Sequence, residues 1–162
     1  MHGSYSYPLV ALSIVVAVLA SHAALQLIRQ VALAPSRATS LGWLVGGAVA
    51  MGLGVWAMHF IGMLAYESPA SVTYAPGLTA LSVLIAMLAS GLALWVNTLP
   101  RLTPMLLMTS GTIMGGGIAT MHYTGMAAMH MNMPYRYDPL LFAVSIVVAV
   151  VAATAALWLG GF

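Results

Sequence analysis

Five apolar runs, each close to the length that crosses a bilayer, constrain this chain more than any other feature. They are Pro8–Ile28, Leu41–Tyr66, Gly77–Leu99, Met105–Met129 and Pro139–Gly161. A bilayer core takes ~20 apolar residues in helical form. Lipid offers no partner to a free backbone N–H or C=O, so each run must satisfy its own hydrogen bonds as a helix. Charge agrees with this. Only 4% of the 162 residues are charged and 62% are hydrophobic, whereas a soluble domain carries about 25% charged residues. The expected fold is all-α: a polytopic transmembrane helix bundle of five spans, forming a single domain over residues 1–162.

The separators read as loops. They hold Arg29, Pro35 and Arg37, then Glu67, Pro69 and Pro76, then Pro100, Arg101 and Pro104, and finally Pro134, Arg136, Asp138 and Pro139. The first run is read as a true span, not a cleaved signal peptide. No Lys or Arg precedes it, and its apolar core exceeds the usual signal length. Arg29, Arg37 and Arg101 fall on one side, and Arg136 falls on the other with both acids. The positive-inside rule then puts the three arginines in the cytoplasm, with the N-terminus outside and the C-terminus inside. A net charge of +2 implies no nucleic-acid partner. The absence of cysteine excludes disulfides, thiolate metal sites and cysteine nucleophiles. No paired carboxylates and no Ser-His-acid set suggest an enzyme.

The chain repeats itself. Leu12–Ser21 matches Leu81–Ser90, and Ser13–Val18 recurs identically as Ser145–Val150. Ala24-Leu25, Ala93-Leu94 and Ala156-Leu157 keep that register along the first, third and fifth spans. The second and fourth spans match as Met51–Met63 and Met114–Met126, an ungapped alignment of Met, Gly, His, Gly and Met. The repeating unit is therefore a helix pair, present two and a half times. The domain is expected to be truncated at its C-terminal end, within the third pair.

Met58-His59-Phe60-Ile61-Gly62-Met63 and Met121-His122-Tyr123-Thr124-Gly125-Met126 resemble the repeated motif of the MHYT domain, a bacterial membrane sensor module. Met121–Thr124 spell that motif in full. The resemblance covers the whole chain, although the family's third motif copy is absent. It implies copper held by the motif Met and His, sensing of oxygen, nitric oxide or carbon monoxide, and coupling in cis to cytoplasmic GGDEF and EAL output domains that turn over cyclic di-GMP.

The residues support a metal site without that resemblance. His59 and Met63 are four apart and share a helix face, as do His122 and Met126. Gly52 and Gly115 lie two turns below the histidines on that face, Gly62 and Gly125 one turn above, and Gly54 and Gly117 nearby. Small residues let membrane helices approach closely. Two such faces meeting would bring the imidazoles within roughly 4–8 Å. Imidazole with thioether favours copper, and no carboxylate is near to favour a hard ion. Met58 and Met121 point ~100° away from the histidines, which makes them weaker candidates. Any single methionine here is also an ordinary apolar filler, and a single membrane histidine can be a simple interhelical contact.

His130, with Met129, Met131 and Met133, is a candidate metal-capture cluster or else an interfacial loop. His22 reads as a helix–helix contact. Trp43, Trp56, Trp95, Trp158 and Tyr66 read as interfacial anchors. Three functions follow: a copper-binding sensory input domain, a b-type haem protein ligated by the two histidines, or a copper transporter. Transport is the weakest, because soft ligands thin out toward the inner half. The expected partners are the lipid bilayer, a metal ion, a small diatomic gas and an output domain in cis, and a homodimer is compatible with them.

Overall fold

Five helices, each followed by its sequence neighbour running the opposite way, make up nearly all of the computed structural model, which describes residues 4–67, 72–101, 103–131 and 138–160. They are α1 (Tyr7–Ala32), α2 (Arg37–Leu64), α3 (Pro76–Asn97), α4 (Pro104–Ala128) and α5 (Pro139–Gly160). The helix starts follow local chemistry. Proline opens α3, α4 and α5, where its missing N–H is no loss. Ser36 and Thr103 cap α2 and α4 by accepting from Thr39 N and Leu106 N, and Asp138 accepts from Leu140 N and Leu141 N.

Four helices, α1, α2, α3 and α5, are long and apolar enough to cross a membrane. At 25 residues, α4 is long enough but more polar. Its exposed hydroxyls bond back to the helix itself: Thr109, Thr112 and Thr120 each donate to the carbonyl four residues earlier. That satisfies them without water. Packed lengthwise between α3 and α5, α4 crosses the same layer, so the chain is a multi-pass membrane protein.

The helices overrun the apolar runs at one end. Arg29 lies in the last turn of α1 and Arg37 at the first position of α2, where a loop was expected. Snorkelling arginines tolerate a helix that emerges from the hydrocarbon. With them at this arginine end sit Trp43, Trp95 and Trp158, each exposed. Tyr5, Tyr7 and Tyr66 are exposed at the opposite, motif end. From Trp43 to Tyr66 is ~34 Å of helix, close to the thickness between two interfacial belts.

Trp56 breaks the anchor pattern expected for it. It lies within α2, stacks on Phe60 with ring centroids 4.9 Å apart, and donates its indole N–H to Ser82 of α3. An indole in the apolar layer needs such an acceptor.

Four short strands were not expected. β1 (Ser4–Tyr5) pairs with β2 (Tyr66–Glu67), and β3 (Val72–Tyr74) pairs with β4 (Met129–Met131), both antiparallel. Each ribbon ties the start of one helix pair to its end. The clasp recurs atom for atom: Ser6 N donates to Ala65 O, and Ala75 N donates to Ala128 O. Ala65 and Ala128 are both buried. Chain leaving a helix end at the membrane surface carries unpaired backbone groups, and pairing is the local solution.

Glycines set the helix spacing. A Cβ on Gly52 would lie 2.6 Å from Met87 N of α3, and one on Gly115 would lie 2.7 Å from Val150 N of α5. Met87 and Val150 are equivalent positions of the repeat, so the same backbone crossing occurs twice. Gly54 faces the other way, against Ala20 of α1, and Gly117 against Ala89 of α3. Two residues apart on a helix is ~200°, which explains how one short glycine run serves both neighbours.

Candidate functional site

The repeat carries His59 and His122 to the same depth, near the motif end of α2 and α4. Both helices pack on α3, so their histidines converge in front of it. Nε2 of His59 and Nδ1 of His122 lie 3.1 Å apart, a hydrogen bond in which one ring must donate. The ring centroids are 4.6 Å apart and the planes cross at 66°, within the expected approach.

The expected cause of that approach needs correction. Gly52 and Gly115 do not bring α2 and α4 together, because both are spent on α3 and α5. The glycine that makes room at the pair is Gly125: a Cβ there would sit 3.9 Å from His59 Nε2. Gly62, its counterpart, faces Ser13 of α1 instead. The motif helices meet through their side chains, and their backbones stay apart because α3 occupies the space between them.

Aromatic rings pack beside the pair. Tyr123 lies edge-on to His122 at 4.8 Å and packs on Phe142 of α5 at 4.6 Å. Its hydroxyl is 2.5 Å from Ser145 Oγ. On the other flank Phe60 packs on Trp56 and on Tyr74. Ser82 and Ser145 are repeat equivalents, and each bonds an aromatic side chain of the preceding helix. In the first unit the partner is Trp56. In the second, where Ala119 replaces that tryptophan, it is Tyr123, one turn further along. Sequence reasoning missed this shell, although the recurrence of serine at positions 13, 82 and 145 was its signal.

Met63 and Met126 are half-buried, one turn beyond the histidines. Met58 and Met121 line a cavity toward the arginine end instead, and Met121 is 2% exposed. This agrees with their angular offset from the histidines. His22, expected at a helix contact, is on an exposed face of α1.

The capture cluster divides. His130 is exposed, pairs across the ribbon with Thr73, and donates its Nδ1–H to Ala128 O. Met129 is its strand neighbour and leaves the opposite face. Met131 pairs through its backbone with Val72, and Met133 lies outside the described residues, as does Arg136.

The pair fits two ligands of one ion. Imidazole nitrogens ~2.0–2.1 Å from a common metal, at angles between a right angle and tetrahedral, are ~2.9–3.4 Å apart. The observed 3.1 Å falls inside that range. Such an ion would displace the proton now shared by the rings. Among the described residues no cluster of three or more His, Cys, Asp and Glu side chains exists.

A family model, MHYT, described as a bacterial signalling protein N-terminal repeat, matches residues 52–110 and 115–161. The chain is 49% identical over 96% of its length to the bifunctional diguanylate cyclase/cyclic di-GMP phosphodiesterase MucR of Pseudomonas aeruginosa, covering 23% of that protein. It is 41% identical to the cyclic di-GMP phosphodiesterase NbdA of the same organism, over 95% of the chain and 19% of that protein. To the signaling protein YkoW of Bacillus subtilis it is 36% identical, over 94% of the chain and 19% of that protein. The chain thus spans about a fifth of the length of these relatives. No solved structure matches it.

Proposed function

This chain belongs to the MHYT family, and from that premise we propose that it is a copper-binding sensory input domain. The observation that carries the reading is the hydrogen-bonded pair of His59 and His122, 3.1 Å apart on repeat-related helices. His59 and His122 would hold the ion, with Met63 and Met126 as softer partners. A set of imidazole and thioether suits copper in preference to hard cations. Bound there, copper would supply a redox-active centre able to take a diatomic gas such as oxygen, nitric oxide or carbon monoxide.

The output is a domain in cis that makes or degrades cyclic di-GMP, as the printed activities of the relatives suggest. A signal biases such an output only through different affinities for two helix arrangements. Tyr123 and Ser145 link the histidine pair to α5, the helix nearest the C-terminus. The catalytic work is assigned to that output and not to the residues of this chain.

Haem is the second reading. It is less favoured, because a macrocycle between the rings would have to part nitrogens that now touch. Elemental analysis of protein purified without added metal, with its visible spectrum, tests both. Copper near one per chain and no Soret band is the expected result. A Soret band with no copper overturns it.

The location is proposed as the bacterial inner membrane, with the arginine end cytoplasmic. The absence of native cysteine makes the orientation directly testable. Single cysteines at Glu67 and Asp138 should react with an impermeant reagent in spheroplasts, whereas those at Arg37 and Arg101 should react only after lysis. The reverse pattern inverts the topology.

A further inference from the structure

Beneath the histidine pair, a cavity of about 490 Å³ runs toward the arginine end, with residues of all five helices in its wall. It follows the repeat. Met51 and Met114 line it from equivalent positions of α2 and α4, and Met58 and Met121 do so one level higher. Leu25, Leu94 and Leu157, equivalent positions of α1, α3 and α5, complete the correspondence. The cavity therefore lies where the repeating units face one another. It is about three times the ~150 Å³ apolar cavity that takes up benzene. From the level of Ala86 to that of Asn97 on α3 it is ~16 Å deep.

One atom at its far end is out of keeping with this lining. Asn97, in the last turn of α3, lines the cavity. Its amide N–H donates to Ala93 O, which fixes the amide. Its Oδ1 is buried and has no hydrogen-bond partner among the described residues. Buried polar atoms are nearly always paired, and an orphaned acceptor calls for a donor.

We propose that this cavity binds an elongated lipid-soluble molecule that carries a hydroxyl or N–H donor at one end. The donor meets Asn97 Oδ1, and the apolar body lies along the methionines toward the histidine pair. Methionine suits such a wall, because its flexible thioether adapts to ligands of different shape. A plain acyl chain fills the space but leaves Oδ1 unpaired. The proposal does not depend on the metal.

The test uses two probes of nearly equal shape, 4-octylphenol and its methyl ether 4-octylanisole, with the purified chain in lipid nanodiscs. Native mass spectrometry counts bound molecules. We expect saturable binding of one 4-octylphenol per chain and at least ~10-fold weaker binding of the ether, the discrimination a ligand loses when a buried polar partner is left unpaired. Asn97→Leu should lower phenol binding to the level of the ether. Ala24→Phe, which fills the cavity from α1, should remove both. Equal binding of the two probes to the unsubstituted protein overturns the polar head at Asn97 and points to an acyl chain as occupant. Unchanged phenol binding in Ala24→Phe, with helicity retained, overturns the cavity as the site.

Discussion

Replacing either motif histidine, as His59→Ala or His122→Ala, is expected to abolish copper retention. In the proposed site each ring would supply one of the two nitrogen donors brought together among the described residues, and the two are already at the spacing of ligands to a single ion. Losing an outer-shell partner of a metal ligand lowers affinity by ~10–100-fold, and losing a ligand itself should exceed that range. Met63→Leu and Met126→Leu should have smaller effects, felt mostly for Cu(I), because a thioether is a weaker donor that another methionine can replace. Met58→Leu and Met121→Leu should leave copper content close to that of the unsubstituted protein, since these side chains line the cavity and not the histidine contact. Copper per chain after mild chelation, with helicity followed by circular dichroism, separates these outcomes. Equal copper in the unsubstituted protein and in both folded histidine variants removes these residues from the site.

The second large effect concerns the helix crossings. Gly115→Ala is expected to destabilise the bundle by ~1–3 kcal/mol, the range for overpacking a close-packed contact. The new methyl group would meet the backbone of α5 at Ala149 and Val150, and a backbone cannot swing aside as a side chain tip can. Gly52→Ala should behave alike, because the same crossing recurs on α3 at Met87. Gly116→Ala is the control: none of the described residues lies within 4 Å of a Cβ there. It should be neutral or slightly stabilising, given the lower helix propensity of glycine. Reversible unfolding in mixed micelles measures all three. If Gly115→Ala and Gly116→Ala unfold alike, the crossing at Val150 is looser than described.

The spans were legible because lipid imposes a one-dimensional rule. A run of the right length must be helical, and the rule needs no knowledge of neighbours. The repeat was legible for a similar reason, since it is a property of residue order. From it came the helix pair as the unit and the equal depth of His59 and His122. The ribbons were not legible. Ser4–Tyr5 and Tyr66–Glu67 are too short to show a strand period, and they pair only because two helices bring them side by side.

Residue order alone thus set the list of helices, their alternating direction and the pair of histidines at one level. Which face meets which was settled by packing in three dimensions. Spacing on a helix says that Gly52 and His59 share a side, but not that this side of α2 closes on α3 at Gly52 while its histidine reaches α4. Trp56 shows the same limit: its composition suits an interface, and its acceptor, Ser82, lies on another helix. Side-chain direction is set along one chain segment, whereas contact depends on how neighbouring helices cross. In this bundle those crossings are fixed where glycine lets one backbone lie against the next.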